Sequence, residues 1–374
     1  MARGGSGDGA RKRVTIHDVA RAAGVSLSTV SNALAGKDIV REDTRRIVQE
    51  AAARLGYRAS AVARALRTRR TNTVGVLLAD VANPSSADFV RGIEDVAIRE
   101  RFTLLLCNND GDEVRQAVQM RSLIDRQVDG MVLISQYCEG PAVRELLDSG
   151  VPFVLMQRRS ARFRDNYVGA DNHASIVAAA EYLAGQGHRR VGYVCGPAMS
   201  SAVAERFAAF REATTRLGLD PDPALVIAGD YGTEAGHRAA NTLLNLRRPP
   251  TAIVASNDMS ALGVLDAAAE RGIDVPGQLS VIGYDDIALA QLARIDLTTI
   301  HLPRREMGAA AASLLMEQIE AGAARPSPRS IIFPTRLVIR NTTGPAPRLR
   351  SGRAADREEE RGPAVTAAPG ATLK

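Results

Sequence analysis

The chain has 374 residues, 45% of them hydrophobic and 24% charged, enough for more than one buried core and too apolar for a disordered protein. Its net charge of +6 is unevenly placed: residues 1–70 hold 15 basic and 6 acidic side chains, a net of +9, and the remainder 33 and 36, a net of −3. A small basic head on a mildly acidic body is the charge distribution of a phosphate-binding module attached to a solution domain.

No stretch is apolar enough to span a membrane, and the Gly/Arg-rich residues 1–13 lack the apolar run of a signal peptide. No membrane partner is therefore expected. Cys107, Cys138 and Cys195 are widely spaced in apolar surroundings and form no CxxC pair, which suits core thiols in a reducing cytosol. A cytoplasmic, nucleoid-associated location follows.

Residues 14–58 read as a helix-turn-helix domain behind a basic arm, 1–13. Ile16, Val19, Ala20 and Ala23 repeat at helical spacing, and Gly24 can take the left-handed conformation that ends such a helix. Ser26 suits the N-cap of a second helix whose buried side is Val30, Ala33 and Leu34. Leu27, Ser28, Thr29, Ser31 and Asn32 are then left facing outward, at the end of the helix that enters the major groove of DNA in this motif. Thr15 and Ser26, at the starts of the two helices, are counted with them as DNA-contacting candidates. A third helix over 43–55 carries Thr44, Ile47, Val48, Ala51 and Leu55 on one side and closes at Gly56. Arg11, Lys12, Arg13 and Arg45 are candidates for phosphate contacts.

Residues 59–72 read as a basic hinge: Ser60 can cap a short helix over 61–66, surrounded by Arg64, Arg67, Arg69 and Arg70. Strands are then expected at Val74–Ala79, Thr103–Cys107, Gly130–Ile134, Phe153–Met156, Val191–Cys195, Leu225–Ala228, Ala252–Ala255 and Leu279–Gly283. Near-continuous apolar runs alternating with helices argue for parallel sheets covered on both faces. Eight such units are too many for one compact sheet and suit two doubly wound lobes of about 150 residues each. The fold class is thus α/β, a three-helix head and hinge on a body of two parallel-sheet lobes over 73–344. Residues 345–374, rich in Pro, Ala, Arg and Glu, read as a disordered tail without heptads.

The motifs occur in a specific order: helix-turn-helix, basic hinge, first strand, Asn83-Pro84, Gly196-Pro197, Ser256-Asn257-Asp258, Gly283-Tyr284-Asp285-Asp286 and Leu297-Thr298-Thr299-Ile300. Over about residues 14–344 the chain resembles the lactose/galactose repressor family of bacterial transcription regulators, whose body is like that of periplasmic sugar-binding proteins. The resemblance implies a homodimer on a near-palindromic double-stranded DNA operator and a small-molecule effector, of carbohydrate kind, between the lobes. It also implies that the hinge folds on the operator, with Leu66 wedged into the minor groove. The family usually has Pro-Asn where this chain has Ala59-Ser60, which removes the proline's fixed backbone angle and keeps a capping side chain.

Ligands of doubly wound folds bind beyond the carboxyl ends of the strands, and those loops are polar here. Asn83, Ser85 and Ser86 follow the first strand, Gln157 and Arg158 the fourth, Tyr231 the sixth and Asn257 the seventh; Asp285 follows the eighth, and Arg206 lies on the helix after Gly196-Pro197. Carboxylates, amides and a guanidinium beside an aromatic wall are how proteins orient polyhydroxylated ligands. By resemblance, Arg206, Asn257 and Asp285 bind effector hydroxyls and Tyr231 stacks on the ligand, so Asp285→Ala or Arg206→Ala silences the effector response and leaves DNA binding intact. Asp258, Asp286 and Asn257 read equally as helix caps and loop-fixing groups. Where the family often has two aromatics after Asn-Pro, this chain has Ser85 and Ser86, which predicts a pocket short of stacking surface.

Enzyme signatures are missing: no GxxxxGK[ST], GxSxG, HExxH or GxGxxG is present, and the five histidines have no metal spacing. Neither a cofactor nor a metal is expected. Two other functions stay open: the same regulator answering to a partner protein, or a sugar-processing enzyme.

Overall fold

The computed structural model describes residues 14–57, 70–135, 137–322, 324 and 326–347. The hinge candidates Ser60, Arg64 and Leu66 and the arm residues Arg11, Lys12 and Arg13 lie outside them. The head consists of α1 (Ile16–Ala23), α2 (Leu27–Leu34) and α3 (Glu42–Leu55) around buried Val19, Val30, Ala33, Val48 and Ala51. Gly24 and Gly56 end α1 and α3 in the left-handed conformation at φ 65°, which a side chain would oppose. Ile47, expected inside, is 46% exposed, and Val40, from the α2–α3 loop, joins the core instead.

The body holds two six-stranded sheets. In lobe 1 the order is β11-β5-β4-β3-β1-β2, from β1 (Thr73–Leu78), β2 (Thr103–Asn108), β3 (Gly130–Ile134), β4 (Phe153–Met156), β5 (Asn166–Ala170) and β11 (Ser330–Phe333). In lobe 2 it is β12-β10-β9-β8-β6-β7, from β6 (Val191–Val194), β7 (Val226–Ile227), β8 (Ala252–Ala255), β9 (Ser280–Asp285), β10 (Thr298–His301) and β12 (Arg336–Val338). Every ladder is parallel except β10–β12. The chain passes between lobes after β5, between β10 and β11, and between β11 and β12.

Four strands escape the apolar-run criterion. β10 begins Thr298-Thr299, whose buried hydroxyls are matched by Thr343 and Asp258. β11 and β12 are short edge strands with exposed positions, and β5 interrupts its apolar residues with Asn166 and Gly169.

In lobe 1 the covering helices are α4 (Pro84–Arg99), α5 (Glu113–Asp125) and α6 (Pro141–Ser149); in lobe 2 they are α7 (Asn172–Gly185), α8 (Ser201–Arg216), α9 (Thr233–Leu244) and α10 (Asp258–Glu270). α11 (Arg304–Ala321) leaves lobe 2 after β10 and lies on α4 of lobe 1. The two helices touch through glycines: a Cβ on Gly92 would meet the Arg305 carbonyl at 1.9 Å, and one on Gly308 the Phe89 carbonyl at 2.2 Å. This close crossing fixes Arg304, at the start of α11, beside the α4 residues that face the cleft. Ala346 N donates to the Gln186 carbonyl at 2.9 Å, so ordered body continues past 344 into the first residues assigned to the tail. Among the described residues, no helix is long and apolar enough to cross a membrane.

Candidate functional site

Two surfaces concentrate the candidate residues. On the head, Asp18 closes the start of α1: the Thr15 amide and hydroxyl both donate to Asp18 Oδ2, at 2.9 and 2.7 Å. Ser26 caps α2 by accepting from the Thr29 amide at 3.1 Å, and its hydroxyl lies 2.8 Å from those of Ser28 and Thr29. Thr15, Ser26 and Thr29 therefore also hold the helix starts, with Thr15 and Ser26 exposed. Ser28 is exposed, Ser31 and Asn32 are half-exposed on α2, and Leu27 leaves an apolar side chain 40% exposed. Arg45, a candidate for phosphate contact, also has partners within the head. Its guanidinium donates to the Lys37 carbonyl at 3.0 Å and pairs with Glu42 at 3.3 Å, bracing the α2–α3 loop.

The second surface is the cleft between lobes, at the carboxyl ends of both sheets. An inner cavity of about 40 Å3 is lined by Asn83, Ser85, Gln157, Arg158, Arg206, Tyr231, Asn257 and Asp285. Of the candidate cleft residues only Ser86 is missing from this lining. It lies in an outer compartment of about 530 Å3 with Asp80, Asp110 and Asp230, and its hydroxyl donates to the Asp80 carbonyl at 2.7 Å.

Phe89 and Ala202 complete the inner wall. Phe89 was missed, yet it stands four residues after Ser85 on α4, hence on the same helix face. It is 3% exposed and belongs to the hydrophobic core, so it backs the cavity wall.

Arg206 is the hub of the site. It is buried, Nε donates to Asn172 Oδ1 and Nη1 to the Ser256 carbonyl, both at 2.8 Å, and its guanidinium lies 3.5 Å from the centre of the Tyr284 ring. Burial works against its charge, but Tyr284, Tyr231 and Asp285 outweigh that and hold its pKa above the usual arginine value. Asp285 is buried at φ 118°, a conformation few non-glycine residues adopt. Burial pushes its carboxyl up, against the opposing pull of Arg304, Arg206 and Arg158 and of the Ser85 hydroxyl facing it from lobe 1. Gln157 and Tyr231 also have positive φ, 66° and 75°. Gln157 is buried, and its Oε1 has no hydrogen-bond partner in the protein.

The remaining groups hold the cleft's frame. Asn257 caps α10 through the Ser260 amide and donates to the Tyr231 carbonyl, both at 2.9 Å, so it fixes two loops while lining the cavity. Asn83 caps α4 through the Ser85 amide at 3.0 Å. Asp286 turns away, to His301 at 2.9 Å and Arg340 at 2.6 Å. Burial pushes its carboxyl up, but these two partners win and hold it below the usual range. Asp258 accepts from the Thr299 hydroxyl at 2.5 Å and the Ile287 amide at 2.8 Å. Both aspartates are loop-fixing groups.

Three arginines join the lobes: the Arg159 amide donates to the Ser201 hydroxyl at 2.9 Å and its guanidinium pairs with Glu205 at 2.6 Å. Arg158 Nε reaches the Ser200 hydroxyl at 3.4 Å, with its guanidinium 5.8 Å from the Tyr231 ring centre. Arg304, unnoticed in the sequence, binds Asp88 of lobe 1 at 2.8 Å and the Asp286 carbonyl of lobe 2 at 3.2 Å.

His237, Asp266 and Glu270 do approach one another on α9 and α10, within 4.8 Å. Arg271 occupies Asn241 Oδ1, so the Asn241 amide nitrogen faces His237 Nδ1 at 3.3 Å and Nε2–H is left to donate to Glu270 at 2.8 Å. Hydrogen bonding accounts for this group.

A helix-turn-helix head on a two-lobed body with a polar interlobe cavity defines a ligand-responsive DNA-binding regulator. Residues 15–60 match the model of bacterial regulatory proteins of the lacI family, and residues 180–343 match that of a periplasmic binding protein-like domain. Catabolite control protein A of Priestia megaterium is 34% identical over 331 residues, 88% of this chain and 99% of the relative. Among solved structures, the Lac repressor dimer bound to operator and the anti-inducer ONPF superposes with a TM-score of 0.77 at 25% identity, covering 89% of this chain and all of that one. The complex of the transcriptional regulator CelR with cellobiose gives 0.69 at 30% identity, covering 88% and 100%. The chain belongs to the LacI family. It is a DNA-binding transcriptional repressor regulated by a small-molecule effector, and not an enzyme.

Proposed function

We propose that the chain acts as a homodimer whose two heads read the halves of a near-palindromic operator, and that a small polyhydroxylated ligand held between the lobes sets operator affinity. The domains are those read from the sequence: arm 1–13, head 14–58, hinge 59–72, body from 73, and a C-terminal tail. The observation that carries the effector site is the convergence of eight candidate residues, from six segments of the chain and two lobes, on one cavity. Asn83, Ser85, Gln157, Arg158, Arg206, Tyr231, Asn257 and Asp285 hold the ligand, with Ser86 at its mouth. The Lac repressor and CelR structures, one on operator and one with a sugar, support both halves of the reading. Because a ligand that prefers one lobe arrangement must shift the equilibrium between them, the interlobe ties of Arg158 and Arg304 are where binding is felt.

Asp285→Asn tests the site. It removes the charge that strengthens hydrogen bonds to ligand hydroxyls, and effector affinity is expected to fall about ten- to a hundredfold. Calorimetric titration decides, and unchanged affinity removes Asp285 from the site.

On the head, Leu27, Ser28 and Asn32 read bases, Ser31 and Thr29 lie beside them, and Ser60, Arg64 and Leu66 act through the hinge. Asn can pair bidentately with adenine, so Asn32→Ala is expected to relax preference at one operator position by about 1–3 kcal/mol. A binding-site selection in which the variant chooses the unaltered operator contradicts this role.

A further inference from the structure

We propose that Glu205 is a positioning residue that orients Arg206 for the effector and makes that orientation answer to the apposition of the lobes. The proposal rests on the reading of Arg206 as an effector-binding group and adds to it a residue outside the cavity lining. Glu205 stands directly before Arg206 on α8. Its Oε1 accepts from Arg159 Nε at 2.8 Å and Nη2 at 2.6 Å, and its Oε2 accepts from Asn172 Nδ2 at 2.8 Å. Asn172 Oδ1 in turn accepts from Arg206 Nε at 2.8 Å. One carboxylate thus stands between lobe 1, which supplies Arg159, and the residue that holds the Arg206 guanidinium. Asn172 opens α7, just after the chain has crossed from β5 into lobe 2.

The Asn172 amide has one orientation that suits both neighbours. A carboxylate only accepts and a guanidinium only donates, so Nδ2 must face Glu205 and Oδ1 must face Arg206. Turned over, the amide would set Nδ2 against Arg206 Nε and Oδ1 against the carboxylate. Asn172 is 2% exposed, so solvent does not stand in for a lost partner. The Tyr284 hydroxyl, donating to Oδ1 at 3.1 Å, favours the same orientation. The lobe 1 end is equally defined. Gln157 and Arg158 line the cavity, and the next residue, Arg159, turns to α8. There its amide donates to the Ser201 hydroxyl at 2.9 Å, and its guanidinium lies 5.6 Å from the Tyr167 ring centre. Two adjacent residues of each lobe divide the work: Arg158 and Arg206 line the cavity, Arg159 and Glu205 hold each other. Separating the lobes here takes Arg159 from Glu205 and loosens the carboxylate, and with it Asn172 and Arg206.

The test reads the Arg206 Nε–H directly, by side-chain NMR of the isotope-labelled full-length protein without ligand. The resonance is identified by its loss in Arg206→Met. Glu205→Gln keeps the shape but turns one carboxylate oxygen into a donor, so either the Arg159 or the Asn172 contact is lost. The Arg206 Nε–H resonance is expected to shift and its solvent exchange to quicken about tenfold, the worth of one hydrogen bond. Arg159→Ala is expected to quicken exchange about threefold, in keeping with the loss of a part-exposed ion pair. The control is Arg216→Ala, which breaks another ion pair between α8 and α7, with Glu181, and touches no member of the relay. Its exchange rate should stay within about twofold of wild type. Thermal melts of all three variants establish that they fold. An unchanged resonance and rate in Glu205→Gln overturn the proposal. An equal quickening in Arg216→Ala also overturns it, since Glu205 would then only pack the two helices together. An unchanged rate in Arg159→Ala overturns the dependence on the lobes. None of these results bears on the cavity as the effector site, which the Asp285→Asn titration tests separately.

Discussion

Arg206→Ala is expected to abolish the effector response and to lower the stability of the body by about 3–5 kcal/mol, because it removes a buried, doubly hydrogen-bonded charge. The melting temperature should fall by roughly 10 °C. The sequence reading has this substitution silencing the effector alone. The geometry gives Arg206 a second, structural role, because it ties the start of α7, through Asn172, to the end of β8, through Ser256, across the face of Tyr284. Truncation leaves the Ser256 carbonyl open in a buried site, while Asn172 Oδ1 keeps the Tyr284 hydroxyl at 3.1 Å. Arg206→Met separates the two roles. It refills most of the volume without the charge, so it should recover part of the lost stability and none of the ligand affinity. An Arg206→Ala protein that melts like wild type contradicts the structural role. One that binds the effector normally contradicts the ligand role.

The second large effect is on pH dependence. The Asp258 carboxyl is pushed up to about 8 from 3.8, by burial and then by the negative charge of Asp285, against the Thr299 hydroxyl and the Ile287 amide. Between about pH 4 and 8 the folded chain therefore keeps a proton that the unfolded chain releases. Stability from this group is intact below the unfolded value and is lost as pH rises through the window, by about 1.4 kcal/mol per unit. Asp258→Asn preserves the shape and has one acceptor for Ile287 and one donor for Thr299. Relative to wild type, it should gain about 3 kcal/mol between pH 5 and 7.5. Denaturant unfolding of both proteins at those two pH values measures this gain, and parallel pH profiles contradict it.

Legibility of the sequence followed how local each signal was. Gly24, Ser26 and Gly56 act within one turn of chain, and the head's helices lie where those residues place them. Continuous apolar runs marked β1, β3, β4 and β8, whereas β10, β11 and β12 gain their pairing from partners distant in sequence and carry polar or exposed residues. The cleft residues were legible because strand ends in a doubly wound fold all face one side. Which of them answer to the ligand and which to the protein was not. Asn257, Asp258 and Asp286 look alike in sequence, and only their partners (Tyr231 and Ser260, Thr299 and Ile287, His301 and Arg340) assign their work. Arg304 was invisible because its role depends on α11 crossing from one lobe to the other, and the reach of Arg45 to Lys37 is likewise tertiary.

Linkage gives the most direct test of a repressor governed from this cleft. Fluorescence anisotropy of a labelled operator, titrated with full-length protein at zero and at saturating effector, yields two operator dissociation constants. The effector's own affinity, measured with and without operator, yields a second ratio. The account predicts that the first ratio departs from one, that the second equals it, and that Asp285→Asn shifts the effector concentration needed without changing operator affinity in its absence. An operator affinity that stays the same while the cleft is saturated contradicts control from the interlobe site.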